Sequence, residues 1–190
     1  MPNVISEKPW SHISADFITK LSLAQSYNAI LVVYDHFSKM VHFIAIIEKT
    51  LAKRLARLFR DYVWKLHGLP ENIILDRGVQ FVAGIIKKLN ELLEIQTKLS
   101  TVYHSQIDEQ MEKINQELEQ YLRVFINHRQ KQWPDWLETT KFVYNNKIYS
   151  VTKVFSFKAN YSQDPQMEFK GKRKRKFEAA EKFVERMKRI

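Results

Sequence analysis

The chain is expected to fold as an α/β protein, a mixed sheet flanked by helices, and three observations predict it. The first 50 residues hold three β-rich apolar runs joined by short polar connectors. From Thr50 the apolar pattern changes from alternation to helical spacing. Helical and strand-like segments then alternate, which sets later strands beside the early ones through helical crossovers.

In chain order, His12 to Leu21, Tyr27 to Phe37 and Met40 to Glu48 read as strands. Asp35-His36-Phe37-Ser38-Lys39 is a tight turn between the second and third, so these strands form an antiparallel meander. Leu51, Leu55, Leu58, Phe59, Tyr62, Val63 and Leu66 share one helical face, and Gly68 with Pro70 stops that helix. Asn72 to Leu75 is a short buried strand. Phe81, Val82, Ile85, Ile86, Leu89, Leu92 and Leu93 mark a second helix, and Thr97 to Thr101 a fifth strand. A longer helix runs from about Asp108 to Gln132 on a stripe of Met111, Ile114, Leu118, Leu122 and Phe125. Pro134 ends it, and Trp136 to Asn145 forms a fourth. The region from Lys147 to Phe169 reads as loop, and a basic helical tail follows.

With 190 residues, 45% of them hydrophobic and 13% aromatic, the chain can fill one substantial core. The expected organisation is a core over residues 8–162 and a basic linker and tail over 163–190. No run approaches the roughly 18 apolar residues of a membrane span, and MPNVISEKPW lacks the apolar centre of a signal peptide, so a soluble intracellular protein is expected. The absence of cysteine excludes disulfides and thiolate-held zinc, and leaves a hard ion on oxygen ligands as the metal to expect. The formal charge of +10 is uneven, since residues 170–190 carry ten Lys/Arg against three Glu. Lys170, Lys172, Arg173, Lys174, Arg175 and Lys176 form the run KGKRKRK, a nucleic-acid contact or nuclear-import signal, with a solvated linker as the plain alternative.

Three carboxylates carry the chemistry. Asp16 interrupts an apolar strand, Asp76 ends the run NIILDRG, and Glu112 opens the long helix, with 35 residues between the last two. A charge inside an apolar strand costs several kcal/mol unless compensated, and a divalent cation shared among carboxylates compensates it. Glu112 alone also suits a helix N-terminus, and Asp76 alone suits a turn. Asp16 resists such a reading. The expectation is metal-dependent phosphoryl transfer. Trp133 and Trp136 read as core residues, and Asp35 as a structural turn residue.

Five blocks then specify a family: PWSHISADFIT (9–19), AILVVYDHFSKMVHFI (29–44), LHGLPENIILDRGVQF (66–81), KLSTVYHSQIDEQMEKINQELEQYLR (98–123) and FVYNN (142–146). In these the chain resembles the integrase catalytic core of Gypsy-type long-terminal-repeat retrotransposons, and through it the retroviral integrases. The resemblance implies an RNase H-like fold with a five-stranded sheet and a triad of Asp16, Asp76 and Glu112. It implies two Mg2+ (or Mn2+) ions, 3′-end processing and DNA strand transfer, in the nucleus. Tyr103, His104, Gln106, Lys113 and Asn115 match family positions expected to meet nucleic acid. The implied partners are element-end and target DNA, RNA as a further polyanion, and other copies of the chain.

Departures from the family pattern support a second reading, a nucleic-acid-binding remnant with impaired catalysis. Ser105, Ile107 and Glu109 stand where relatives have Pro, Thr and Gly, and Glu109 adds negative charge where phosphates approach. Lys153, Phe155 and Ser156 stand where relatives tend to have Gly, Ser and Pro. A truncated reading frame is the matching expectation, since no His/Cys zinc module or complete C-terminal domain accompanies the core.

Overall fold

A computed structural model of the chain describes residues 6–75, 79–94, 105–126, 132–149 and 153–163. Strands β1 (His12–Ile18), β2 (Ala29–Asp35) and β3 (Val41–Ile46) form the expected antiparallel meander. Strand β4 (Asn72–Leu75) joins parallel to β1, giving the order β3-β2-β1-β4 among the described residues. The expected fifth strand, at Thr97 to Thr101, lies outside them. The sheet is therefore mixed. Every residue of β2 is buried, as its near-continuous apolar run requires of a strand covered on both faces.

The β2–β3 turn is built around Asp35, which is fully buried. Its carboxylate accepts hydrogen bonds from the backbone of Trp10, Phe37 and Ser38 and from the Ser38 hydroxyl. Asp35 is thus the structural residue expected. Edge strand β3 is capped by a side chain: the Asn145 amide accepts from Val41 N (2.8 Å) and donates to Val41 O (3.0 Å). Those are the pairings that another strand would make.

The helix after β3 is α1 (Ala52–Phe59), a π-helical turn (Arg60–Trp64) and α2 (Lys65–His67), ending at Gly68, whose φ of 84° suits glycine. An uninterrupted α-helix was expected. The wider turn shifts the helical register, so Leu66 is 57% exposed and His67 turns towards the sheet instead. There His67 stacks on Trp10 at 3.8 Å between ring centres, and its Nε2 meets His42 Nε2 at 2.9 Å. Leu51 (77% exposed) also leaves the expected apolar face.

Helices α1 and α3 (Val79–Leu93) cover one face of the sheet, where Leu55, Phe59, Val63 and Leu89 pack on Ile13, Ala15, Leu31 and Val33. On the other face lie α4 (Ser105–Ile126) and α5 (Trp133–Asn145), with Met111, Ile114, Leu118 and Leu122 against Ile18, Ile30 and Val32. Two helix starts differ from expectation. Pro134 sits in the first turn of α5, where its missing N–H costs nothing, and Trp133 is buried, donating Nε1–H to Ser22 O. Helix α4 begins at Ser105, not Asp108. Helix α6 (Ser156–Tyr161) occupies part of the expected loop region. No described helix is long and apolar enough to cross a membrane.

Candidate functional site

Asp16 lies on β1, opposite Val32 of β2, with its side chain half-buried. Strand alternation assigns Ile13, Ala15 and Phe17 to the α1/α3 face, so Asp16 and Ile18 face α4. There its Oδ2 accepts a hydrogen bond from Asn115 Nδ2 at 2.6 Å, a bond linking β1 to α4. This bond offsets part of the cost of a carboxylate in an apolar strand, a contribution that the sequence did not reveal. Asn115 interrupts the buried stripe of Met111, Ile114 and Leu118, and its Oδ1 is buried with no hydrogen-bond partner among the described residues.

Glu112 is exposed, one turn before Asn115 on α4. Residues three apart on a helix are neighbours about 5–6 Å apart at Cβ, so Glu112 lies one turn from the residue that is bonded to Asp16. Glu112 does not open the helix as expected: α4 starts seven residues earlier, so the macrodipole account of this residue is lost. Ser105 and Ile107, which precede the expected helix start, are helical residues like Glu109. Replacing helix breakers such as Pro and Gly by Ser and Glu favours that extension. Lys113 is exposed beside Glu112, and Gln106 lies in the first turn of α4.

Asp76, Tyr103, His104 and the basic run Lys170, Lys172, Arg173, Lys174, Arg175 and Lys176 lie outside the described residues. Strand β4 ends at Leu75, paired with Ala15, next to Asp16. Among the described residues no group of three or more His, Asp or Glu is placed to hold a metal.

Sequence reasoning also missed the ring cluster of Trp10, His42 and His67, though each belongs to a different matching block. Burial holds His42 down to about 3 and His67 to about 4, with the neighbouring His67 and Lys141 charges adding to the shift at His42.

Comparison with known proteins fits this arrangement. The Transposon Tf2-3 and Tf2-4 polyproteins of Schizosaccharomyces pombe are each 34% identical over 160 residues, 84% of this chain. The HTLV-2 integrase catalytic core domain in complex with magnesium superposes with a TM-score of 0.59, at 18% identity, over 82% of this chain and 99% of that one. The chain belongs to the integrase cores of long-terminal-repeat retrotransposons. A simian T-cell lymphotropic virus intasome in complex with a PP2A regulatory subunit matches with a TM-score of 0.63, at 14% identity, over 90% of this chain and 60% of that one. These likenesses establish for this integrase core a mixed α/β, RNase H-like fold. No family model matches the chain. It spans 12% of the length of the Tf2 polyproteins.

Proposed function

We propose that this integrase core carries out DNA integration, through divalent-metal-dependent 3′-end processing and strand transfer by Asp16, Asp76 and Glu112. The observation that carries the reading is the Asn115–Asp16 bond, which docks the helix bearing Glu112 onto the strand bearing Asp16. The strand register supports the third member. Asp76 follows directly in sequence on β4, whose last residue, Leu75, pairs with Ala15, the neighbour of Asp16.

The donor set fits a hard cation. It consists of carboxylate oxygens, and the orphaned Asn115 Oδ1 adds an oxygen suited to a metal-bound water. When bound, two Mg2+ or Mn2+ ions supply activation of the attacking oxygen and charge stabilisation at the leaving one. Asp16, Asp76 and Glu112 would hold them, and Asn115 would keep the Asp16 carboxylate aimed. Lys113 is exposed beside Glu112 and suits a phosphate as a point charge. Tyr103, His104, Gln106 and the 170–176 run would extend the contact with DNA. The retroviral neighbours, in dimeric and trimeric forms and in an intasome, support an oligomer on two DNA ends for this chain too. The matching place of action is the nucleus, with residues 8–162 as the core and 163–190 as the tail.

The test is incubation of the chain with a labelled element-end duplex and Mg2+ or Mn2+. Trimmed 3′ ends and joined products are expected, and unchanged activity in Glu112→Gln would sink the triad. A second reading, a nucleic-acid-binding remnant, is favoured by α4 itself, which carries Glu109 on the same helix as Glu112 where relatives have glycine. It predicts salt-dependent binding of DNA or RNA without products.

A further inference from the structure

The two helical layers carry opposite charge. The rod from α1 to α2 holds Lys53, Arg54, Arg57, Arg60 and Lys65 against Asp61, and adjoining α3 adds Lys87 and Lys88 against Glu91. Across the sheet, α4 holds Asp108, Glu109, Glu112, Glu117 and Glu119 against Lys113 and Arg123. Arg60 pairs with Asp61, and Lys88 with Glu91. Lys53, Arg54, Arg57, Lys65 and Lys87 are all exposed and make no ion pair among the described residues. Lys53, Arg57 and Lys65 recur at multiples of four along the rod, and Lys53 lies close enough to α3 to act on Glu91 together with Lys87 and Lys88.

Aromatic groups stand among these cations. Tyr62 is 39% and Trp64 36% exposed, on the wide π-helical turn between Arg57 and Lys65. Unpaired cations interleaved with exposed aromatic rings make a surface for a polyanion whose backbone is charged and whose bases or sugars offer flat faces. Twelve residues of helix span about 18 Å, about five base-pair rises of a duplex. We propose that the outer face of the α1–α2 rod, with the lysines of α3, is a second nucleic-acid-binding surface. It takes a phosphate backbone irrespective of sequence, on the side of the sheet opposite Asp16.

This surface does not depend on the catalytic reading, and one experiment keeps the two apart. Binding of the whole chain to a fluorescein-labelled duplex of arbitrary sequence is followed by anisotropy across a NaCl series. The variants are Lys53→Gln/Arg57→Gln/Lys65→Gln, the same three positions changed to Glu, and Lys141→Gln. Each is made with and without Lys172→Gln/Arg173→Gln/Lys174→Gln in the tail, and folding is checked by circular dichroism. The glutamine triple is expected to bind at least about tenfold more weakly near 100 mM salt, and to lower the log–log salt slope by about two to three, in both tail backgrounds. Lys141→Gln, on α5 across the sheet, should bind like the parent. An unchanged slope in the folded glutamine triple overturns the proposal. So does loss of self-association in sedimentation with DNA binding intact, since the basic face would then dock on the acidic α4 of a second copy.

Discussion

Asn115 and Asn145 each place one amide where an apolar side chain would otherwise pack, and each ties two elements together. Asn115 holds Asp16, and a hydrogen bond to a charged group is worth about 1.5–3 kcal/mol. If that energy keeps the carboxylate aimed, Asn115→Ala slows strand transfer roughly ten- to a hundredfold with the fold intact, as measured by product formation alongside circular dichroism. Asn145 satisfies both backbone groups of Val41. Asn145→Ala leaves two buried polar groups unpaired and is expected to cost about 2–4 kcal/mol in denaturant unfolding. Both asparagines stand in blocks readable from the sequence. Their partners, 99 and 104 residues away, do not, because an amide suits many acceptors and only the packing of α4 and α5 chooses among them.

At the scale of elements, the four described strands were legible because alternation and β-branched runs survive any loop detail, and β4 was read to the residue. The π-helical turn was not legible, since residues 60–64 carry no Gly or Pro to mark a change of phase. Its product, His67 inside and Leu66 outside, sets up an acid-sensitive joint. His42 and His67 bind protons at about 3 and 4 when folded but near 6.5 when unfolded. Their contribution to stability is whole above pH 6.5 and is lost as pH falls towards 4, because the unfolded chain takes protons first. Thermal melts over this range should show a steep acid loss that is reduced in His67→Gln. Helix α6 was missed for a related reason: its start lacks the family's usual punctuation. Lys153 adopts φ 58°, and Ser156 is fully buried at the first helical position, its hydroxyl without a hydrogen-bond partner among the described residues. Phe155, at ψ 148°, already has the backbone a following proline needs. Lys153→Gly and Ser156→Pro should therefore each raise stability by about 0.5–1 kcal/mol, read as a higher melting temperature.

For the whole molecule, the sequence revealed the excess of positive charge but assigned most of it to the tail, because counting along the chain averages the two helical layers together. Only the sheet, by setting α1 and α3 on one side and α4 and α5 on the other, separates them. The same sheet has a consequence for how the chain comes to be folded. Strand β1 pairs with β2 only eleven residues on, but with β4 only after the whole α1–α2 rod has been made. The meander can assemble early from local contacts, whereas the parallel pair must wait for a long loop to close. During synthesis the strand bearing Asp16 is therefore an open edge until β4 emerges. A nascent chain stalled before residue 72 would present that edge to its neighbours, and aggregation, not loss of catalysis, would be its first failure.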